Sequence, residues 1–221
     1  MNPQLDIERA RFNMVEQQIR TWEVLDQRVL DLLLRVRREE YVPPQYRALA
    51  FADMEIPLGH GEKMLAPKME ARMLQELTLR PTDRILEVGT GSGYMTALLA
   101  SLGSHVCSVD ILSEFTRAAG AQLAAQGITN VTLETGDGAR GWERGAPYDV
   151  IVLTGSVPVL ADAFLKCLQP EGRLIAVVGE PPVMEARLVN CAAAGAWRTT
   201  GLFETCITAL RNAPQHEKFV F

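Results

Sequence analysis

Ile85-Leu86-Glu87-Val88-Gly89-Thr90-Gly91-Ser92-Gly93-Tyr94 is the stretch from which the rest of the chain can be read. An apolar run carrying one acid, Glu87, gives way to three glycines on alternate positions. An apolar, helix-compatible stretch, Met95 to Leu102, follows at once. That pattern predicts a buried strand, a tight turn and a helix. Glycine tolerates φ > 0, and without a Cβ it lets a ligand lie against the backbone and the helix N-terminus. A small polar cofactor is therefore expected at the first strand-to-helix turn of an α/β sheet.

The glycine spacing narrows the cofactor. A dinucleotide fingerprint, G-x-G-x-x-G, needs its third glycine where helix and strand pack closely. Counted from Gly89, that place holds the bulky Tyr94, and the third glycine comes one position early at Gly93. The E-x-G-x-G-x-G form resembles the first motif of methyltransferases that use S-adenosyl-L-methionine (AdoMet).

Downstream of this turn the pattern becomes a regular alternation of short apolar strands and helices. Strands are expected at Arg84–Val88, His105–Val109, Val131–Thr135, Asp149–Leu153 and Arg173–Val178. Helices are expected at Tyr94–Leu102, Ser113–Ala125 and from about Val159 to Leu168. Such alternation makes a parallel, doubly wound sheet. Arg187–Cys191 and Thr200–Leu210 read as two closing strands in an antiparallel hairpin through Gly195. Upstream, Leu5 to Arg20 reads as an amphipathic helix with Leu5, Phe12, Val15 and Ile19 near one face. Asp26 is a candidate N-cap for a second helix striped by Val29, Leu30, Leu33 and Leu34, which Pro43-Pro44 ends. A short helical segment is expected at Gln45 to Phe51. Two prolines and two glycines argue against regular structure through most of Glu55 to Pro67, a loop able to reach the cofactor before a helix at Lys68 to Leu79. The chain thus divides into residues 1–80, N-terminal helices and a substrate-side loop, packed on a core at 81–221.

Composition sets the outer bounds. The chain has 221 residues, a formal charge of −5 and 48% hydrophobic residues. That is ample for a core and supplies no global basic field, so nucleic acid is an unexpected partner. No run approaches the ~18 apolar residues that span a bilayer, and Met1-Asn2-Pro3-Gln4 has no signal-peptide profile. A cytoplasmic protein without a membrane partner is expected. Cys107, Cys167, Cys191 and Cys206, like His60, His105 and His216, are scattered without metal-ligand spacing. No metal site is expected, and buried thiols are the simplest reading of Cys107 and Cys167.

Polar residues gather at the carboxyl ends of the strands, where open α/β sheets bind ligands. Asp110 stands 21 positions after Gly89, where a carboxylate can accept from both ribose hydroxyls, with Ile111 beside it. Asp137, between Gly136 and Gly138, can accept from an adenine amine. Glu87 can serve the ammonium of a methionine moiety, directly or through water. One acid at a strand end is commonly a cap or turn residue, but here three successive strand ends carry one. AdoMet is cationic at sulfur and at its ammonium, so an acidic rim suits it better than it suits a pyrophosphate. The candidate cofactor residues are Glu87, Gly89, Thr90, Gly91, Ser92, Gly93, Asp110, Ile111, Asp137 and Gly138.

Seven segments resemble protein-L-isoaspartate O-methyltransferases. They are Met14-Val15-Glu16-Gln17-Gln18-Ile19, Arg38-Glu39-Glu40-Tyr41-Val42-Pro43, Ile56-Pro57-Leu58-Gly59-His60-Gly61, Ala71-Arg72-Met73, Glu87 to Tyr94, Gly136-Asp137-Gly138 and Ala146-Pro147-Tyr148-Asp149. The resemblance spans roughly residues 10 to 180. It implies a Rossmann-like, seven-stranded AdoMet methyltransferase fold with an N-terminal helical extension. It also implies methylation of isoaspartyl carboxylates in damaged proteins or peptides. By that match the glycine turn, Asp110, Asp137 and Gly138 carry AdoMet.

The chain departs from the family pattern twice, both on the expected substrate side. Where the family has Thr-Ile-Ser before a residue and proline, this chain has Lys63, Met64 and Leu65, then Ala66 and Pro67. The family hydroxyl is therefore missing at Leu65. Phe203-Glu204-Thr205-Cys206 replaces a Phe-Val-Pro-type run. A carboxylate acceptor, with a pKa of about 4, is already ionised at neutral pH and needs no general base, only positioning and exclusion of water. A hydroxyl donor to it is worth about 1.5–3 kcal/mol. Lys63 or His60 could supply a donor instead. The same departure also suits an AdoMet methyltransferase with a small-molecule or nucleic-acid acceptor, or a protein that binds AdoMet without turnover.

Overall fold

A computed structural model describes residues 3–193 and 195–216, with side chains from Asp6 onward. The chain starts in a helical run whose winding changes along its length. Helix α1 (Pro3–Met14) widens to a π-helical turn over Val15–Ile19, then tightens to a 3-10 turn over Arg20–Trp22. The π turn adds residues per turn and so shifts the buried face away from a 3.6-residue period. Met14, Val15 and Ile19 are buried, while Phe12, expected beside them, is 52% exposed. The Leu5 side chain lies outside the described residues. Helix α2 (Gln27–Arg35) carries the expected cap, Asp26 Oδ1 accepting from the Arg28 N–H at 2.8 Å. It buries Val29, Leu30, Leu32 and Leu33, with Leu34 only partly covered. A 3-10 segment at Pro44–Leu49 stands where a short helical stretch was expected.

Glu55 to Pro67 differs from its expectation. Most of it is a hairpin, β1 (Ile56–Gly59) antiparallel to β2 (Glu62–Met64). The residues that argued against regular structure sit where a two-stranded ribbon tolerates them. Pro57 lies in an edge strand, and Gly59, His60 and Gly61 turn the corner at φ of 98°, 56° and 83°.

The remaining elements are α3 (Pro67–Leu77), β3 (Arg84–Val88), α4 (Tyr94–Leu102), β4 (His105–Asp110), α5 (Ser113–Ala125), β5 (Val131–Thr135), β6 (Tyr148–Leu153), α6 (Asp162–Lys166), β7 (Leu168–Glu180), β8 (Val183–Ala193) and β9 (Ala196–Thr205). Seven strands form one sheet in the order β5-β4-β3-β6-β7-β8-β9. The first five run parallel, and β8 and β9 are antiparallel additions. This is the expected seven-stranded, doubly wound fold. Because β4 and β6 flank β3 on opposite sides, the strand order reverses there, and a crevice opens beside the carboxyl end of β3.

Several boundaries move. Helix α6 is five residues long, since Leu168 already starts β7. Strand β7 extends well past both ends of its apolar run. Strand β9 stops at Thr205 rather than Leu210. Residues 206–213 instead turn back across the sheet, held by Ser156. One apolar cluster joins Met14, Leu30 and Leu33 of the N-terminal helices to Leu98 of α4 and to Val150 and Val177 of the sheet, and a second lies on the opposite face around Leu86, Ile151 and Phe164. Cys167 and Cys191 are buried, Cys107 is half-buried and Cys206 exposed. No helix among the described residues is long and apolar enough to cross a membrane.

Candidate active site

The crevice beside β3 is a cleft of about 820 Å³, open to solvent. Its floor is the glycine turn. Gly89 sits at φ +102°, and a Cβ there would stand 2.2 Å from Thr154 Oγ1. That hydroxyl in turn donates to the Gly89 carbonyl at 2.6 Å. Gly93, at φ +81°, begins α4, and a Cβ there would meet Ala119 Cβ at 2.9 Å. Both positions thus require glycine for conformation and for packing, independently of any ligand.

Asp110 ends β4 and is almost buried. Its Oδ2 accepts from the Gly91 N–H and its Oδ1 from the Leu112 N–H, both at 2.9 Å. Burial raises its pKa, and the two backbone donors oppose the rise. The carboxylate therefore fixes the turn from the neighbouring strand while facing the cleft. Asp137, after β5, accepts from the Ala139 N–H at 3.1 Å and from Asn212 Nδ2 at 2.9 Å. Gly138 lets this segment approach β3, since a Cβ would lie 3.0 Å from Val88 Cγ1. Of the candidate cofactor residues, Gly89, Thr90, Gly91, Ser92, Asp110, Ile111, Asp137 and Gly138 line the cleft.

Glu87 does not line it. Strand alternation turns Glu87 toward α4, and Val88, one residue on, faces the cleft instead. Glu87 is fully buried. Its Oε2 accepts from Thr96 Oγ1 at 2.5 Å and Ser108 Oγ at 2.6 Å, and Ser108 pairs with Thr90 at 2.7 Å. The other oxygen, Oε1, has no partner among the described residues. Burial pushes this carboxyl up to about 8. Glu87 thus reaches the glycine turn through two hydroxyls rather than as an open acid at the strand end.

The other walls combine the hairpin, α3 and the returning C-terminal segment. Leu65 lines the cleft and is buried. Its carbonyl accepts from Arg38 Nη2 at 2.6 Å. Arg38 is fully buried, also donates to the Ala50 carbonyl at 2.9 Å, and pairs with Glu70, which lines the cleft. Burial raises the Glu70 carboxyl and Arg38 partly offsets the rise. Lys63 lines the cleft and is paired with Glu55 at 2.9 Å. His60 is not a cleft residue: its ring meets Glu114 Oε2 at 2.6 Å. Phe203 to Cys206, expected on the substrate side, also lie elsewhere, with Phe203 packed edge-on against Trp22 at 5.4 Å. Thr208 to Arg211 take that place. Arg211 crosses to the hairpin, donating to Glu62 Oε1 at 2.7 Å and to the His60 carbonyl at 2.5 Å. Nothing in the sequence marked Glu70, Thr154 or Arg211; Arg38 entered only as part of a family-like run and Thr208 only as part of an expected strand, and the positions of all five depend on contacts far along the chain.

The donor set fits AdoMet. Of the acids that line the cleft, Glu70 pairs with Arg38 and Glu62 with Arg211, while Asp110 and Asp137 have no cationic partner among the described residues, a balance suited to a cationic ligand.

The sequence model of the protein-L-isoaspartate (D-aspartate) O-methyltransferase family matches residues 9–198. The chain belongs to this family. The protein-L-isoaspartate O-methyltransferase of Klebsiella pneumoniae strain 342 is 41% identical over 163 residues, 74% of this chain and 78% of that one. The corresponding protein of Methanoculleus marisnigri is 40% identical over 171 residues, 77% and 78% of the two chains. Among solved structures, a Plasmodium falciparum protein described as a protein-L-isoaspartate O-methyltransferase in complex with S-adenosyl-L-homocysteine superposes with a TM-score of 0.78. It is 20% identical and covers 91% of this chain and 98% of its own. At that identity it supports the fold. Family membership makes the chain an AdoMet-dependent methyltransferase of the isoaspartyl-repair type. Thr208 and Arg211 lie beyond the residues that the family model matches.

Proposed function

We propose that this chain methylates the free carboxylate of isoaspartyl residues in proteins and peptides, and that the cleft described above holds both reactants. One observation carries the reading: the cofactor-type residues and a second, solvent-open wall built by Leu65, Lys63 and Thr208–Arg211 share a single cleft. A polypeptide acceptor needs such an open side.

Asp110 is assigned to ribose hydroxyls. Each of its oxygens already accepts one backbone N–H and keeps a further lone pair. Ile111, 37% exposed, and Phe115 offer apolar surface to an adenine, and Asp137 an acceptor for its amine. Glu87 is assigned a supporting part, holding Thr90 through Ser108. When bound, AdoMet supplies a methyl on sulfonium sulfur, so that a carboxylate oxygen forms the O–C bond while the C–S pair returns to sulfur and no proton moves. The chain's own work is positioning and drying. Val88, Met64, Leu65, Met95 and Leu210 line the cleft with hydrocarbon, which keeps water from competing and strengthens the polar contacts left inside.

The test is purified protein with methyl-labelled AdoMet and an isoaspartyl peptide beside its aspartyl twin. Base-labile methyl ester on the isoaspartyl peptide alone is the expected result. Demonstrable AdoMet binding with no transfer to that peptide would sink the reading.

A further inference from the structure

An acceptor carboxylate beside an acidic rim needs a donor to hold it, and Leu65 offers none. Four residues with hydroxyls line the cleft: Thr90, Ser92, Thr154 and Thr208. Three of these belong to the floor. Thr90 pairs with Ser108 at 2.7 Å, and Thr154 donates to the Gly89 carbonyl at 2.6 Å. Ser92 stands in the glycine turn among the cofactor residues; its Oγ accepts from the Tyr94 N–H at 3.3 Å and keeps its own proton for a ligand on that side.

Thr208 stands apart from these. It is half-buried, and among the described residues only its backbone forms hydrogen bonds. That backbone is fixed. The Thr208 carbonyl accepts from the Ser156 N–H at 3.0 Å, and the Leu210 N–H donates to the Ser156 carbonyl at 2.8 Å. Ser156 Oγ also donates to the Ile207 carbonyl at 3.2 Å. Arg211 then ties the same segment to the hairpin that leads into Leu65. Thr208, whose hydroxyl has no partner among the described residues, thus lines the same cleft as Leu65 from a segment fixed by backbone hydrogen bonds. The cations of that wall are neutralised within it, Lys63 by Glu55 and Arg211 by Glu62.

We propose that Thr208 Oγ1 is the hydrogen-bond donor to the acceptor carboxylate, supplying from the C-terminal segment the hydroxyl that Leu65 lacks. This rests on the isoaspartyl reading above. A donor that holds the carboxylate before and during transfer contributes uniform binding, so its loss belongs in KM rather than kcat.

The experiment compares Thr208→Val, Thr208→Ser, Lys63→Met and Thr208→Val combined with Leu65→Ser. It reads kcat and KM for the isoaspartyl peptide, AdoMet affinity by calorimetry, and Tm. Thr208→Val should lower kcat/KM about ten- to a hundredfold through KM, as expected for losing a donor to a charged group. Its AdoMet affinity and Tm should match the parent. Thr208→Ser should stay within about threefold of the parent, since it keeps the donor. Leu65→Ser should restore part of the loss in the Val background. The proposal is overturned if Thr208→Val leaves kcat/KM unchanged, if Ser falls as far as Val, or if Lys63→Met carries the loss instead. Should the parent protein transfer no methyl to the isoaspartyl peptide, the functional reading and this proposal fall together. Transfer by the parent with no effect of Thr208→Val removes this proposal alone.

Discussion

Asp110 shows how one side chain can hold the scaffold together while facing the cleft. Its two oxygens accept the N–H groups of Gly91 and Leu112, so the same carboxylate that faces the cleft also ties the glycine turn to the next strand. Asn would keep the shape but put an NH2 against one of those N–H donors. The variant Asp110→Asn must therefore either leave a buried donor unmet or swing out of place, at a cost of about 1–3 kcal/mol. AdoMet affinity measured by calorimetry should fall about ten- to a hundredfold. An Asn variant that binds AdoMet like the parent would remove Asp110 from the site. The position of Asp110 was legible, because strand ends and spacing from Gly89 are local facts. Its partners were not, since they come from folding the turn. Glu87 marks the limit of the same logic. The sequence placed an acid at the end of β3, but the facing residue is decided by strand alternation, and one residue of difference buries it.

At the scale of elements, local patterns and long-range pairings divide cleanly. The strand, turn and helix from Arg84 to Leu102 were readable because each repeats a period within a few residues. The hairpin at Ile56–Met64 was missed because its prolines and glycines were read as breakers, whereas a two-stranded ribbon has edge and turn positions for them. Residues 206–210 read as the end of a strand, but the strand stops at Thr205 and residues 206–213 leave it. Their course is set by Ser156, about fifty positions earlier, and by Arg211 on the hairpin. The pairing of Arg38 with Glu70 was equally invisible, because a buried ion pair appears only when two segments meet. These two devices hold the substrate wall from opposite ends, Arg38 at the Leu65 carbonyl and Arg211 at the His60 carbonyl. Arg211 and its Glu62 partner are partly exposed, so Arg211→Ala should change global stability by less than about 1 kcal/mol. It should nonetheless raise hydrogen exchange and proteolysis at Gly59–Glu62 and raise KM for the peptide. A hairpin as protected in the variant as in the parent would show that the C-terminal segment does not hold it.

At the scale of the whole molecule, the sheet separates two apolar clusters, and Glu87 lies fully buried on the side of α4. Its immediate hydrogen-bond partners, Thr96 and Ser108, are neutral, while Asp110 and Glu70 nearby add repulsion. Burial dominates and raises the carboxyl from 4.5 to about 8. The folded chain therefore keeps a proton on Glu87 through a range in which the unfolded chain has lost it. With fewer protons bound in the unfolded state, stability falls as pH rises. The contribution is complete below about 4.3, the ordinary value of a glutamate, and is gone once pH passes about 8. Within that window one such carboxyl changes unfolding free energy by at most about 1.4 kcal/mol per pH unit. Gln cannot titrate, has nearly the same volume, and can leave its carbonyl oxygen to the two hydroxyls. Glu87→Gln should accordingly match the parent at the acid end of that window, near pH 4, and gain on it steadily toward pH 8, with a visibly flatter slope of Tm against pH in scanning calorimetry. Burial of Glu70 acts in the same direction, so the Gln variant should keep part of the slope. Parallel Tm curves for parent and variant from pH 6 to 8 would mean that Glu87 is ionised in the folded chain. The hydroxyls of Thr96 and Ser108 would then be holding a charge at the centre of the sheet rather than a neutral acid.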